Sequence, residues 1–306
     1  MNLTRREFSA AVLGAGASIL AGAAGTSGAR VAAAPALPLV QWGKHRLSKV
    51  LVGHNPIKGM SHFSPQLDKE MADWFNDDGT RAKAMLKRCE ELGINTCQMG
   101  GGKIEQILRG HYAEGGHLRW IATYYSRPGA GREELDRILK MRPPPIGAQH
   151  WGDTTDRLMR EGRIEQARET LKLIRDAGLL VGLCSHNHEV VDYVESKGWD
   201  VDFYQCSFYR SVDSLKPPRR GEIFEEEARQ SMARTIAQVS KPCIAYKVLG
   251  ANRHCAMPAD VAQALEFALR SIKPNDVVLL GMWQKHKDQV AENVTTAARI
   301  CAALRK

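Results

Sequence analysis

The segment Pro145–Asp153, with the sequence PIGAQHWGD, is the stretch that decides the fold of this chain. A short apolar run ends there in a His-Trp pair, which is followed by a glycine, an acid and two threonines. This pattern is typical of a buried strand that runs out into a polar loop. In a barrel of parallel strands, His150 would stand at the mouth, where such barrels keep their active sites.

The composition is that of a globular protein. Of its 306 residues, 43% are hydrophobic and 25% are charged, which excludes a disordered or collagen-like chain. The formal net charge is +9, but Lys and Arg alternate with acids along the chain, as in MREGRIEQARETLKLIRDAG at 159–178. We therefore expect no nucleic-acid binding, and we expect the surplus charge to attract an anionic ligand or cofactor. The seven cysteines form no CxxC pair, which excludes a zinc ribbon.

The first 34 residues have the organisation of an export signal. Thr4–Phe8 (TRREF) precedes a weakly apolar stretch rich in Gly and Ala, and Ala32–Ala34 supplies a small-residue cleavage site. Paired arginines followed by Phe indicate the twin-arginine pathway, with its export machinery as a partner and a periplasmic location. The apolar stretch is too short to anchor the protein stably in a membrane. We expect residues 35–306 to form one domain.

Eight apolar runs alternate with amphipathic stretches in the remainder. One such stretch, Glu161–Ala177, has apolar residues at helical spacing and ends at Gly178. The predicted strands are Val50–Ile57, Asn95–Met99, Arg119–Tyr125, Ile146–His150, Leu179–Ser185, Val201–Phe208, Pro242–Leu249 and Val277–Met282.

This rhythm predicts an α/β fold, a (β/α)8 TIM barrel. A doubly wound sheet is the alternative, but it requires a Gly-rich phosphate loop after the first strand, and Gly53–Pro56 (GHNP) is a poor one. The two longest connections, Pro56–Asp78 and Arg210–Glu222, are either lids over the barrel mouth or surface excursions.

Five short motifs, in this order and spacing, resemble the aldo-keto reductase superfamily. They match its second, third, fourth and seventh strands and the cofactor-side helix that ends its barrel. The motifs are Gly93–Asn95 with Glu105–Leu108, Ile121–Thr123, Gln149–Trp151 with Asp153, Ile244–Gly250, and Gln289–Val294. The resemblance implies a barrel that binds NADP(H) and acts on a carbonyl or sugar-like small molecule.

The family's catalytic set is incomplete in this chain. The family uses an Asp and a Tyr after strand two, a Lys ending strand three and a His ending strand four. Gln98 stands in the place of the Asp, Tyr124 in that of the Lys, and Met99–Gly102 replaces the segment with the Tyr. His150 alone matches, so the usual reductase mechanism cannot be carried over.

The cofactor side of the resemblance is more complete. It implies Gln205 near the nicotinamide, Gln289 and Asn293 near the adenine, and Lys285 near a 2′-phosphate. The loops after strands seven and eight commonly form the phosphate site of a barrel, which adds Lys247 and Arg253. Solvated cations at a barrel end are the alternative interpretation.

Three functions follow from these observations. The first is a divergent NADP(H)-dependent oxidoreductase in which His150 polarises a carbonyl. The second is a sugar isomerase or lyase that uses His150, Tyr124 and Lys247. His186 and His188, two residues apart in an extended segment, would give it a metal site, although polar loop residues explain them as well. The third is a ligand-binding barrel without catalysis.

Overall fold

The computed structural model describes residues 36–125, 132–210 and 223–305, which belong to one compact unit. The predicted export signal and nearly all of the Arg210–Glu222 connection lie outside the described residues. Within the described ranges, no helix is long and apolar enough to cross a membrane.

Eight parallel strands close into a barrel, which confirms the predicted (β/α)8 fold. An antiparallel hairpin of β1 (Leu39–Trp42) and β2 (His45–Ser48), which the sequence pattern did not predict, precedes it. The barrel strands, in spatial as well as chain order, are β3 (Val50–Gly53), β4 (Thr96–Met99), β5 (Arg119–Tyr124), β6 (Gly147–His150), β7 (Leu180–Ser185), β8 (Phe203–Ser207), β9 (Cys243–Tyr246) and β10 (Val277–Gly281). Strand β10 pairs with β3 and completes the ring.

Helices follow the barrel strands and pack on the outside of the ring. They are α1 (Pro65–Trp74), α2 (Thr80–Glu91), α3 (Gly102–Ala113), α4 (Glu133–Leu139), α5 (Gly152–Arg160), α6 (Ala167–Asp176), α7 (His188–Ser196), α8 (Glu226–Gln238), α9 (Pro258–Ser271) and α10 (Gln289–Ala303). Two short 3-10 helices, Pro56–Lys58 and Ile164–Gln166, complete the described elements.

Each predicted strand is present, and every one is shorter than predicted. The predicted helix Glu161–Ala177 is divided into the 3-10 turn Ile164–Gln166 and helix α6. The connection Pro56–Asp78 is more than a loop, because it carries helix α1. Ser64 caps that helix by accepting a hydrogen bond from the Leu67 amide, and Pro65 occupies its first turn.

Side chains alternate strictly between the inside and the outside of the barrel. The large outward-facing cluster joins strands to helices, whereas a smaller cluster fills the inside of the barrel. The β1–β2 hairpin closes the barrel at the amino ends of its strands, where Trp42 packs against Phe203 with ring centroids 5.3 Å apart. This apolar packing occupies the end of the barrel at the amino ends of the strands. The opposite end, at the carboxyl ends of the strands, is the one that holds the candidate site.

Candidate active site

Three glutamines form one layer across the barrel. Gln98 on β4, Gln149 on β6 and Gln205 on β8 come from alternate strands, and the strand registers bring them to one height with Leu279 of β10. All three side chains are more than nine-tenths buried. We call these three residues the glutamine layer.

Two amides of the glutamine layer are unsatisfied. Gln98 donates a hydrogen bond to Thr123 Oγ1 at 2.5 Å, whereas Gln149 and Gln205 form none with the residues that the structure describes. A buried polar group without a partner costs about 1–3 kcal/mol. The layer is therefore prepared to exchange hydrogen bonds with the hydroxyl groups of a ligand.

A cavity of about 370 Å³ lies at the carboxyl ends of the strands and includes the glutamine layer among its lining residues. This is the end at which TIM-barrel enzymes hold their substrates, and the volume lies within the range of small-molecule sites. Aromatic walls complete the cavity, and they come from Tyr125, Trp151, Tyr246 and Trp283.

His186 enters this cavity with a carboxylate behind it. Its Nδ1 lies 2.8 Å from Asp156 Oδ2, and that oxygen also accepts the His186 backbone N–H at 3.0 Å. Because the carboxylate only accepts, the ring carries its proton on Nδ1 and presents the lone pair of Nε2. No hydrogen bond joins Nε2 to the described part of the chain, and His186 lines the cavity.

Gly152 has no side chain and therefore leaves room for the His186 ring. A Cβ atom there would lie 2.8 Å from Cys184 Sγ and 3.1 Å from His186 Cε1. Cys184 also lines the cavity, but burial raises the pKa of its thiol to about 12, so it is no nucleophile at neutral pH. His186 is the stronger candidate for acid–base chemistry.

A second imidazole, His54, lines the cavity directly after β3. Its Nδ1 donates to the backbone oxygen of Gln98 at 3.4 Å, which leaves the lone pair on Nε2. Burial and the charge of Lys58 lower the pKa of His54 to about 4, so this ring is neutral at pH 7.

A phenol and an ammonium group meet at the wall beside β5. Lys58 Nζ donates to Tyr125 Oη at 3.2 Å, and Tyr125 Oη donates to the backbone oxygen of Gly100 at 3.2 Å. Both side chains line the cavity.

Lys247 lines the cavity directly after β9. Its backbone adopts φ +57°, a conformation that costs free energy for a residue with a side chain and that clusters at functional sites. Its Nζ is buried and lies 5.8 Å from the centroid of the Phe224 ring. The structure thus places Lys247 in the cavity wall, whereas its predicted role stays a prediction.

His150 and Tyr124 point away from the cavity. They are register partners on β6 and β5, and both face the outer layer of helices. His150 Nδ1 donates to Thr155 Oγ1 at 2.7 Å, and that hydroxyl donates to Trp151 O. The geometry therefore gives His150 a structural role, in contrast to the sequence-based expectation. Gln149 and Tyr125, one residue away in each case, line the cavity instead.

The residues expected around the cofactor divide into two groups. Gln205, Lys247, Gln289 and Asn293 line the cavity. Lys285 instead forms an ion pair with Glu70 at 2.7 Å. Arg253 donates to backbone oxygens, including that of His62, and stacks on Phe224 at 3.7 Å.

The fit to NADP(H) is therefore incomplete. Lys287, which lies just before the last helix, is bound to Glu292 at 2.7 Å. A 2′-phosphate would have to displace these carboxylates, so the residues present do not fit that group.

The predicted metal pair does not meet. His186 is bound to Asp156, whereas His188 begins helix α7 outside the cavity. Across the described ranges, no cluster of three or more His, Cys, Asp or Glu side chains has the geometry to hold a metal ion.

No family model matches this chain, and no curated protein does. Solved structures do resemble it. N-acetylneuraminic acid synthetase from Leptospira borgpetersenii serovar Hardjo-bovis is 10% identical with a TM-score of 0.51, over 88% of this chain and 91% of that one. N-acetylmannosamine-6-phosphate 2-epimerase from Clostridium perfringens is 12% identical, with a TM-score of 0.44 over 84% and 92%. The aldolase QR15 is 10% identical, with a TM-score of 0.45 over 74% and 90%. At these identities, the likeness is one of fold alone.

Proposed function

We propose that this protein is an enzyme that moves a proton at a carbon beside a carbonyl group in a small, hydroxyl-rich molecule. Isomerases, epimerases and lyases of sugars carry out this chemistry. The observation that carries the proposal is the pairing of His186 with Asp156, which presents a basic Nε2 to the cavity.

The pair has the parts of a general base. Asp156 fixes the tautomer and orientation of the ring, and its charge stabilises the imidazolium that forms when His186 takes a proton. A positioned base of this kind contributes a factor of about 10²–10⁴ to the rate. Ser185 Oγ donates to the other carboxylate oxygen at 2.5 Å, so Asp156 is held rigidly from both sides.

Removal of the proton leaves negative charge on the carbonyl oxygen. Lys247 supplies positive charge at the cavity wall. A preorganised donor of this type stabilises a developing oxyanion without a reorganisation cost. The amide oxygens of Gln149 and Gln205, which have no hydrogen-bond partner among the described residues, suit neighbouring hydroxyl groups, which favours a sugar-like substrate.

The solved barrels above include an epimerase, a sialic acid synthetase and an aldolase. Because their likeness is one of fold, the proposal rests on the site and not on those activities.

Solvent deuterium exchange tests the proposal. The purified protein is incubated in D2O with a panel of unphosphorylated aldoses, ketoses and aldonic acids, and label at carbon is read by NMR and mass spectrometry. We expect one probe or a related group to gain deuterium, and His186→Asn to slow, by about 10²-fold or more, the gain by the substrate whose proton His186 removes. If no probe gains label although one binds by calorimetry, the protein is a ligand-binding barrel and the proposal is wrong.

The second candidate is the oxidoreductase that the aldo-keto reductase resemblance implies. The contact of Lys58 with Tyr125 favours it, because a reductase needs a phenol beside a cation. The ion pairs of Lys285 and Lys287 count against it. Titration with NADPH, followed by its fluorescence, decides between the two: saturable binding supports this candidate, and no binding up to millimolar concentration contradicts it.

A further inference from the structure

Two of the imidazoles that line the cavity lie on opposite sides of the barrel. His54 directly follows β3, the first strand of the ring, and His186 directly follows β7, the fifth. In a closed ring of eight strands, the first and the fifth are diametrically opposed. Both side chains line the same cavity, so a ligand at its centre has one imidazole on each side.

Both rings present the same atom to that ligand. Each Nδ1 is directed at an acceptor of the protein, Gln98 O for His54 and Asp156 Oδ2 for His186. In each case this leaves Nε2 for proton transfer, and no described residue bonds to either Nε2. A single acid–base catalyst needs one such ring, whereas two of them line this cavity from opposite strands.

We propose that His54 and His186 act as a two-base pair that inverts a stereocentre beside the carbonyl of the substrate, so that the enzyme is an epimerase or racemase. This inference rests on the proposed function and deepens it. It specifies that the configuration inverts at the carbon that loses its proton, which a single base at His186 would not determine.

The step balances without an oxidant or a further reactant. One Nε2 takes the proton, the C–H bond breaks, and its electron pair forms the C=C bond of an enolate while the carbonyl π pair moves to oxygen. The opposite Nε2–H then delivers a proton to the other face of the same carbon, and the carbonyl re-forms. The substrate and product have the same composition, and the two rings have exchanged one proton.

The surroundings of the two rings assign them unequal starting roles. The carboxylate of Asp156 stabilises an imidazolium at His186, whereas Lys58 lies near His54 and disfavours one there. His54 therefore begins one direction as the base and His186 as the acid. The reverse direction retraces the same intermediate.

Two matched variants test the pair. His54→Asn and His186→Asn each keep an amide nitrogen near the position of Nδ1, so the bonds to Gln98 O and Asp156 survive while Nε2 is lost. Circular dichroism and thermal unfolding establish that both variants are folded. Each is then incubated in D2O with the two epimers of whichever probe the wild-type protein labels, in separate tubes.

We expect the wild-type protein to interconvert the epimers and to label the inverted carbon. Each variant should lose inversion by at least about 10²-fold. His186→Asn should still exchange deuterium into one epimer, and His54→Asn into the other, because each remaining base reaches one face. Label in the wild-type protein without inversion, or loss of exchange from the same epimer in both variants, would overturn the two-base pair but leave the proposed proton transfer intact. No label in the wild-type protein overturns both.

Discussion

Asp156 and His186 are joined by two hydrogen bonds to the same oxygen. Oδ2 of Asp156 accepts from the backbone N–H of His186 at 3.0 Å and from its ring Nδ1 at 2.8 Å. Asp156 lies on helix α5 and is completely enclosed, whereas His186 follows strand β7 at the cavity. The Asp156 carboxylate thus fixes both the start of the loop after β7 and the tautomer of the His186 ring.

The variant Asp156→Asn should separate these two tasks. The amide oxygen can still accept from the backbone, so the fold should be kept, but the charge that stabilises the imidazolium is lost. We expect the deuterium exchange rate of the folded variant to fall by roughly 10²–10⁴-fold. An exchange rate equal to that of the wild-type protein would mean that Asp156 is only structural.

Gly152→Ala tests whether space beside His186 limits the reaction. The added Cβ would lie 2.8 Å from Cys184 Sγ and 3.1 Å from His186 Cε1, so the ring must shift. A displacement of about 1 Å can cost on the order of 10²-fold in rate, and we expect a loss of that order in the rate per folded molecule. Gly102→Ala is the matched control, because Gly102 also begins a helix and a Cβ there would meet no atom within 4 Å. Equal rates for the two variants would contradict the prediction.

The barrel was predictable from the sequence because each of its strands is a short apolar run bounded by turn residues. The hairpin Leu39–Ser48 was missed, since Arg46 and His45 interrupt its apolar pattern. The predicted strands extend beyond the observed carboxyl ends because apolar residues continue into the βα loops, as Val248 and Leu249 do after β9.

The candidate site was predictable only in part. Gln98, Gln205 and Lys247 do line the cavity, because positions at the carboxyl ends of strands meet there. Whether Gln149 or His150 faces the cavity depends on which of these two adjacent residues of β6 points to the inside of the barrel. Strand β6 is buried on both faces, so its sequence lacks the alternation that would show which face is inside. Asp156 and His186 are 30 residues apart, and only the packing of α5 against β7 brings them together.

His150→Gln should affect stability and not the reaction. His150 is buried behind the barrel wall and donates to Thr155, so its loss should lower the free energy of unfolding by about 1–3 kcal/mol. The deuterium exchange rate per folded molecule should stay within about twofold of the wild-type rate, because the ring does not line the cavity. Urea unfolding and the exchange assay measure the two effects. A large loss of rate in a stable variant would return His150 to the active site.

The same residue gives the stability a pH dependence. Burial, with the charge of Arg157, lowers the pKa of His150 to about 4, so the unfolded chain binds a proton below its ordinary value of 6.5 and the folded chain does not. The contribution of the neutral ring to the free energy of unfolding is complete above pH 6.5. It is lost as the pH falls toward 4, by up to about 1.4 kcal/mol per pH unit. The difference in unfolding free energy between the wild-type protein and His150→Gln should therefore shrink on acidification. A difference in unfolding free energy that stays constant with pH would contradict this prediction.

Lys247→Met should remove the cation that faces the developing oxyanion while keeping the length of the side chain. Loss of one preorganised oxyanion partner typically costs about 10²–10³-fold in rate, and we expect a loss of that order in deuterium exchange. Lys285→Met is the matched control, because Lys285 lies outside the cavity in a partly exposed ion pair with Glu70. It should leave exchange unchanged. If Lys285→Met instead abolishes exchange and Lys247→Met does not, the ligand lies toward the last helix, where the aldo-keto reductase resemblance places a phosphate, and Lys247 does not serve the reaction.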